Sequence, residues 1–271
     1  MDKSKVKKRL VNLNKIMSIV QIAKFDTIQK IAKTSKNLKH HYEMAKISRE
    51  VLTFVKDIYG KLWKKNSENS KKLWIFISIG SPLIKTSYEK YFKIFLENFN
   101  KEKDWIIPIG PPAQLFADKN KYKIYKQYDS VEGQEEELAY TLLKGMQIND
   151  IKEIQLVANI KKVKDKPYQI FPFEDNKKET TIKLKKYTFY SSVKEISENI
   201  PVPYFKNIIS GIVQENLFHF YAEKLVRHEN SIKSIEERIV GLRSDLNKEN
   251  RKKETEDMIN VSQRAKRRKG E

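Results

Sequence analysis

All eight prolines lie between Pro82 and Pro203. Proline breaks a helix because it lacks the backbone N–H and its ring clashes with the preceding turn. Both ends of the chain are therefore free to run as long helices, and the middle is not. The N-terminal stretch carries apolar residues at Val6, Leu10, Leu13, Met17 and Val20, stepping by four and three. The stripe resumes at Ile28, Ile31, Leu38, Tyr42, Ala45, Leu52, Val55, Tyr59 and Leu62. The spacing predicts one amphipathic helix from about residue 3 to about residue 58, with or without a break, ended by Gly60 and the polar run from Lys64 to Lys72. At about 1.5 Å per residue it would be roughly 80 Å long.

The C-terminal stretch reads the same way. Pro201 and Pro203 mark its start, and Phe205, Ile209 and Ile212 begin a stripe. Ile232, Ile235, Ile239, Leu242 and Leu246 continue it with 3-4 spacing, predicting a helix from about 204 to about 265. Neither terminal helix can bury its seam alone. An antiparallel coiled coil of the two solves this, whereas a parallel pairing would need the middle of the chain to span the rod.

The middle alternates. Leu73–Ile79 is a short continuous apolar run, as in a strand buried on both faces. A helical pattern follows through Tyr88, Tyr91, Phe92, Phe95, Leu96 and Phe99. Trp105–Ile109 predicts a second strand, ended by Gly110, and Tyr122–Tyr128 a further one. Leu138, Leu142, Leu143 and Met146 mark a helix. Ile154–Ile160 predicts a strand, with Tyr168–Phe173 as its partner. Strands alternating with helices imply a small Rossmann-like α/β sheet with a parallel core. The expected fold class is thus α/β plus coiled coil, with the α/β domain inserted between two long terminal helices. The expected divisions are 1–62 (N-terminal coiled-coil helix), 70–195 (α/β foot) and 200–271 (C-terminal coiled-coil helix).

Lys and Arg outnumber Asp and Glu by 55 to 35, a formal charge of +20. Such a charge favours acidic partners: nucleic acid, anionic lipid or an acidic protein surface. The abundance of Lys, Ile and Asn fits a genome rich in A and T, which supplies some of that charge without a functional reason. The chain has no Cys, so disulfides, thiolate metal sites and a Cys nucleophile are excluded. The charged start from Asp2 to Arg9 lacks the apolar core of a signal peptide. No stretch approaches the roughly 18 uninterrupted apolar residues of a membrane span. The expectation is a soluble, cytoplasmic chain.

No motif supports an active site. Gly80–Thr86 stands where a phosphate-binding loop would, between a strand and a helix. Such a loop needs a second glycine just before its lysine, and here Ile84 precedes Lys85, with the spacing one residue short. A plain strand-to-helix turn is the simpler reading. His40, His41, His219 and His228 show no metal-ligand spacing. Glu135–Glu137 reads as a solvated helix start. Lys121–Lys126 and the tail Arg264–Lys269 are the segments closest to a nucleic-acid surface, but no DNA- or RNA-binding motif accompanies them.

Several segments, in order, resemble the gamma subunit of F-type ATPases. Arg9–Ala23 is similar to the family's opening R-I-x-S-I-x-N-T-x-x-I-T-K-A-M, with Arg9 and Ile19 matching in type and Lys30 on a later family lysine. The Thr-Lys-Ala-Met part is replaced by Val20, Gln21, Ile22 and Ala23. Leu73–Gly80 and Trp105–Gly110 resemble the family's first two strands, although Ser81, Pro82 and Leu83 replace a glycine-rich segment. Val157–Asn159 and Tyr168–Phe173 resemble its Tyr-Asn strand and later Leu-Leu-Pro segment. Glu223–Arg227 keeps the spacing of S-E-x-A-A-R, and Asn250–Glu254 resembles N-R-x-R-Q. Met258 and Asn260-Val261 follow where the family has Thr and Glu-Leu.

The resemblance implies a non-catalytic central-stalk rotor inside a ring of three alpha and three beta subunits. It implies no cofactor on this chain, with ATP and Mg acting in the partner subunits. An acidic lever loop of each beta subunit would push the coil. Lys15, Gln21 and Lys24 on the first helix, and Arg251, Lys253 and Glu254 on the last, are the implied hexamer contacts. The foot would dock an epsilon-like subunit, a membrane ring or other machinery, peripheral to the cytoplasmic face of the cell membrane, with no nucleic acid. Two departures stand out. Glu254 replaces a Gln that contacts a beta-subunit loop, with Lys253 in place of Arg, and an ionised Glu cannot donate the same hydrogen bonds. The family's final turn is apolar and sits in an apolar sleeve, where this chain has Arg264–Lys269. Both suggest a specialised, divergent F-type-like ATPase rather than an ordinary synthase, and by analogy with family paralogues a motility-type motor is one such use. The alternatives are a basic coiled-coil nucleic-acid-binding protein and a stand-alone nucleotide enzyme.

Overall fold

The computed structural model describes residues 3–58, 71–79, 88–148, 151–172, 192, 195 and 199–268, with side chains of 55–58 and 265–268 left aside. The predicted turn at Gly80–Thr86, the helix stop at Gly60 and the tail side chains beyond Arg264 lie outside the described residues.

Among the described residues, five helices and four strands follow in chain order: α1 Lys3–Ile58, β1 Lys71–Ile77, α2 Glu89–Asn98, β2 Trp105–Ile109, α3 Pro111–Lys119, α4 Glu135–Ile148, β3 Ile151–Val157, β4 Tyr168–Phe171 and α5 Pro201–Arg268. Pro201 and Pro203 fall in the first turn of α5, where a backbone N–H has no intrahelical acceptor in any case.

The sheet order is β2-β1-β3-β4. β1 pairs in parallel with β2 and β3, and β4 closes the edge antiparallel to β3. β1 is central, and so Leu73 to Ile77 are all buried and all apolar. One face of the sheet carries an aromatic cluster. Phe76 and Phe95 stack at 5.6 Å, Phe92 and Phe116 at 4.4 Å, and Phe95 and Phe99 at 4.5 Å. The Trp74 indole N–H donates to the buried Asp104 carboxylate at 3.0 Å, which also accepts the Asn100 N–H at 2.9 Å.

Two strands differ from expectation, and one helix is additional. The strand expected at Ile154–Ile160 is Ile151–Val157, because Ala158–Val163 leaves the sheet in turns closed by Ile160 N–H to Ala158 O and Val163 N–H to Ile160 O. The strand expected at Tyr122–Tyr128 is reduced to two bridges, Ile106 to Ile124 and Ile109 to Tyr128. Pro108 in β2 has no N–H to give that edge, so the ladder there cannot be regular. Helix α3 carried no expectation. Its Pro111 and Pro112 read as punctuation but occupy the first helical turn, and the Ser78 hydroxyl oxygen accepts the Ala113 N–H at 2.7 Å.

The chain divides into two compact units. One comprises residues 31–220, so the sheet with α2–α4 is joined there by the second half of α1 and the start of α5. Ala45, Leu52, Phe205, Ile208, Ile209 and Ile212 from those helices belong to its buried core. The other unit comprises residues 1–30 and 221–271.

Candidate functional site

Within the unit of residues 1–30 and 221–271, α1 and α5 run antiparallel. Lys24 Nζ lies 3.0 Å from the Glu229 carboxylate, and Lys30 Nζ stands 5.9 Å over the Tyr221 ring. As numbers rise on α1 they fall on α5. The residues withdrawn from solvent include, on α1, Val6, Leu10, Leu13, Met17, Val20, Lys24 and Thr27, and on α5 His228, Ile232, Ile235, Ile239, Leu242, Leu246 and Glu249. Both sets step 4-3-4-3, the seam of a coiled coil. Ile28, expected in that stripe, is instead 43% exposed, and Thr27 is buried in its place with its hydroxyl donating to Ala23 O at 2.8 Å. The side-chain bond back to the helix lets a threonine sit in the seam without an orphaned hydroxyl.

Outside the seam, α1 also exposes large apolar side chains. Ile16, Ile19, Ile22, Phe25 and Ile28 are 48%, 66%, 71%, 61% and 43% exposed, and Val11 is 52% exposed. Ile16 to Ile28 recur at i, i+3, a stripe that winds around the helix by about 60° per step and approaches the seam at Ile28. Basic side chains flank it at Lys8, Lys15 and Lys24. A helix with two apolar stripes buries one against its partner helix and offers the other to something else.

The implied contact residues are placed as follows. Lys15 and Gln21 are exposed beside this stripe, and Lys24 is half-buried in its ion pair with Glu229. Arg251, Lys253 and Glu254 are exposed on α5. Lys3 is twenty-one residues before Lys24, and Asn250 is twenty-one after Glu229, so α5 from Arg251 onward runs past the described start of α1. Every residue from Arg251 to Arg264 is exposed there, including Met258, Ile259 and Val261. The structure thus gathers the two sets in one unit but at different levels of it. The exposure of Ile16, Ile19, Ile22 and Phe25 is not legible in the seam's 4-3 spacing. Their i, i+3 recurrence was the available signal.

The basic-aromatic run is otherwise engaged. Tyr122 packs on Phe99 at 4.8 Å, Tyr125 on Trp105 at 5.7 Å, Lys123 donates to the Glu102 carbonyl and Lys126 to the Glu137 carboxylate. Its rings are not a free stacking platform for bases. Lys206 likewise donates to Glu136 at 2.8 Å, which holds its ammonium above the usual lysine range. Among the described residues no cluster of His, Cys, Asp or Glu could hold a metal ion, and no helix is long and apolar enough to cross a membrane.

No protein-family model matches the chain. It is similar to the ATP synthase gamma chain of Mesoplasma florum, 24% identical over an alignment of 261 positions that covers 92% of each chain. Its fold is similar to that of chains in two structures of the Euglena gracilis mitochondrial ATP synthase, one of the rotor in rotational state 1 and one of OSCP/F1/c-ring in rotational state 3. In rotational state 1 the TM-score is 0.51 at 17% identity, over 92% of this chain and 98% of the other. In rotational state 3 it is 0.55 at 14%, over 96% and 92%.

Proposed function

We propose that this chain is the gamma-type central-stalk rotor of an F-type-like rotary ATPase, turning inside a hexamer of alpha- and beta-like subunits. The observation that carries this reading is likeness along the whole length. The similarity spans both terminal helices and the sheet domain between them, in one order and with nearly equal chain lengths. The second apolar stripe on α1 supports it, because a coiled coil in bulk water has no use for one.

In this reading the chain is not a catalyst. ATP and Mg act in the hexamer, and the chain receives force. A stiff rod is what torque needs, and two paired helices supply it. Lys15 and Gln21, beside the stripe, and Arg251, Lys253 and Glu254, on the extension of α5, meet the hexamer wall. Lys24 exchanges Glu229 for an acidic group of a partner subunit at some angles. Basic residues facing acidic levers aid assembly and set resting angles. The sheet domain engages what is driven, at the cytoplasmic face of the membrane. Glu254 and the basic tail support a specialised motor over an ordinary synthase.

Affinity purification of the tagged chain from its native cells tests this. The reading expects two larger nucleotide-binding subunits in equal amounts and in excess over the chain, with ATPase activity. Recovery with nuclease-sensitive nucleic acid and no such subunits would replace it with the basic coiled-coil binder.

A further inference from the structure

Glu215 of α5 is only 6% exposed, and it ties together three elements of the unit spanning residues 31–220. Its Oε2 accepts the Tyr42 phenol of α1 at 2.5 Å. Its Oε1 accepts the backbone N–H of Lys161, in the turn between β3 and β4, at 2.8 Å. One helical turn on, His219 Nε2 lies 3.8 Å from the same oxygen. Tyr42 is confined on its other sides. A Cβ at Gly211 would stand 2.9 Å from its ring, and Lys162 Nζ lies 5.4 Å from the ring centre. Lys162 also reaches β4, donating to the Tyr168 hydroxyl at 3.2 Å.

A buried carboxylate is an expensive way to hold three elements together, since apolar side chains of similar volume would do it at lower cost. Burial of apolar surface is non-directional, however. Hydrogen bonds to a charged group are stronger and fixed in angle. Here they join both long helices to the β3–β4 turn at one point.

We propose that Glu215, with Tyr42, is the torque-bearing joint by which the long helices turn the sheet domain. The inference rests on the rotor reading. Residues that only hold the fold would affect stability; a joint affects transmitted force at equal stability.

The test uses the full chain assembled with its hexamer, the hexamer fixed to a surface and a probe attached at Lys93→Cys on α2. Glu215→Gln removes the charge and Tyr42→Phe removes the hydroxyl. Without load, both variants are expected to support wild-type ATP hydrolysis. Under viscous load, torque on the probe is expected to fall at least about twofold, as the strong directional bonds are lost. Ile209→Val, a core change in the same unit, is expected to keep full torque. Wild-type torque in both variants, or an equal loss in the Ile209 control, would overturn the joint. If Glu215→Gln does not fold, Tyr42→Phe alone decides. If the wild-type chain fails to join any hexamer, the rotor reading falls first. Hydrogen exchange of the Lys161 amide in the isolated chain then reads the latch itself. It is expected to speed up about tenfold in each variant, and an unchanged rate overturns the latch.

Discussion

Tyr42 titrates far from its usual range. Burial, followed by the hydrogen bond to Glu215, raises its phenol well above 10, and burial does the same to Tyr204. The folded chain therefore holds these protons more tightly than the unfolded chain. Their contribution to stability is flat below the ordinary phenol pKa of about 10 and falls as pH climbs above it. Thermal melting between pH 8 and pH 11 should show that fall in the wild type, and a shallower one in Tyr42→Phe. An identical slope in the variant would mean that Tyr42 does not titrate with unfolding. Gly110 is a second residue with a single cause. Its φ is +89°, and a Cβ there would lie 1.9 Å from the Ser78 carbonyl oxygen. Gly110→Ala should cost more than about 2 kcal/mol in urea unfolding, combining left-handed strain with a backbone clash. Gly110 was legible in sequence as the end of a strand, but its close approach to Ser78 was not, since that contact depends on β1 and β2 lying side by side. The same holds for Glu215, which looks like any helix-surface glutamate until Lys161 and Tyr42 are brought to it.

At the scale of elements, period was the reliable guide. The seam positions from Val6 to Val20 and from Ile232 to Leu246 lie where their 3-4 spacing puts them, because a stripe that long has no other way to be buried. Among the described side chains, period misled where a polar residue took a seam position: Thr27 satisfies its own hydroxyl along the helix, and Ile28 faces outward. The parallel strands β1 and β2 were legible from short apolar runs, whereas β3 was misplaced by three residues because hydrophobicity continues into Ala158 and Ile160, which are buried in the turn beyond it. Two neighbouring residues of α5 separate the roles of its faces. Ile239, 5% exposed, lies in the seam, and Val240, 65% exposed, does not. Ile239→Ala should destabilise by about 2 kcal/mol or more, while Val240→Ala should stay within about 0.5 kcal/mol. Equal effects in chemical unfolding would contradict the seam.

For the whole molecule, the claim is that α1 serves two surfaces at once, a partner helix and a surrounding hexamer. Ile22→Asp with Phe25→Asp should leave the melting temperature of the isolated chain nearly unchanged, because both side chains are already in water. The same pair should abolish recovery of the hexamer in co-purification. Loss of folding in the variant, or undiminished hexamer recovery, would remove the second stripe from the account. The contact residues implied by family resemblance, Lys15, Gln21, Lys24, Arg251, Lys253 and Glu254, are polar; the stripe between them is not. Sequence patterns drew attention to the charges because a charge on a long helix is conspicuous, and passed over the apolar residues because they resemble core until a structure turns them outward.

Rotation itself is the most direct measurement. With the hexamer fixed to a surface and a probe attached to the sheet domain at Lys93→Cys, in a chain that has no other cysteine, added ATP should turn the probe in one direction. Withdrawal of ATP should stop it. A probe that stays still while the same complexes hydrolyse ATP would contradict the rotor account.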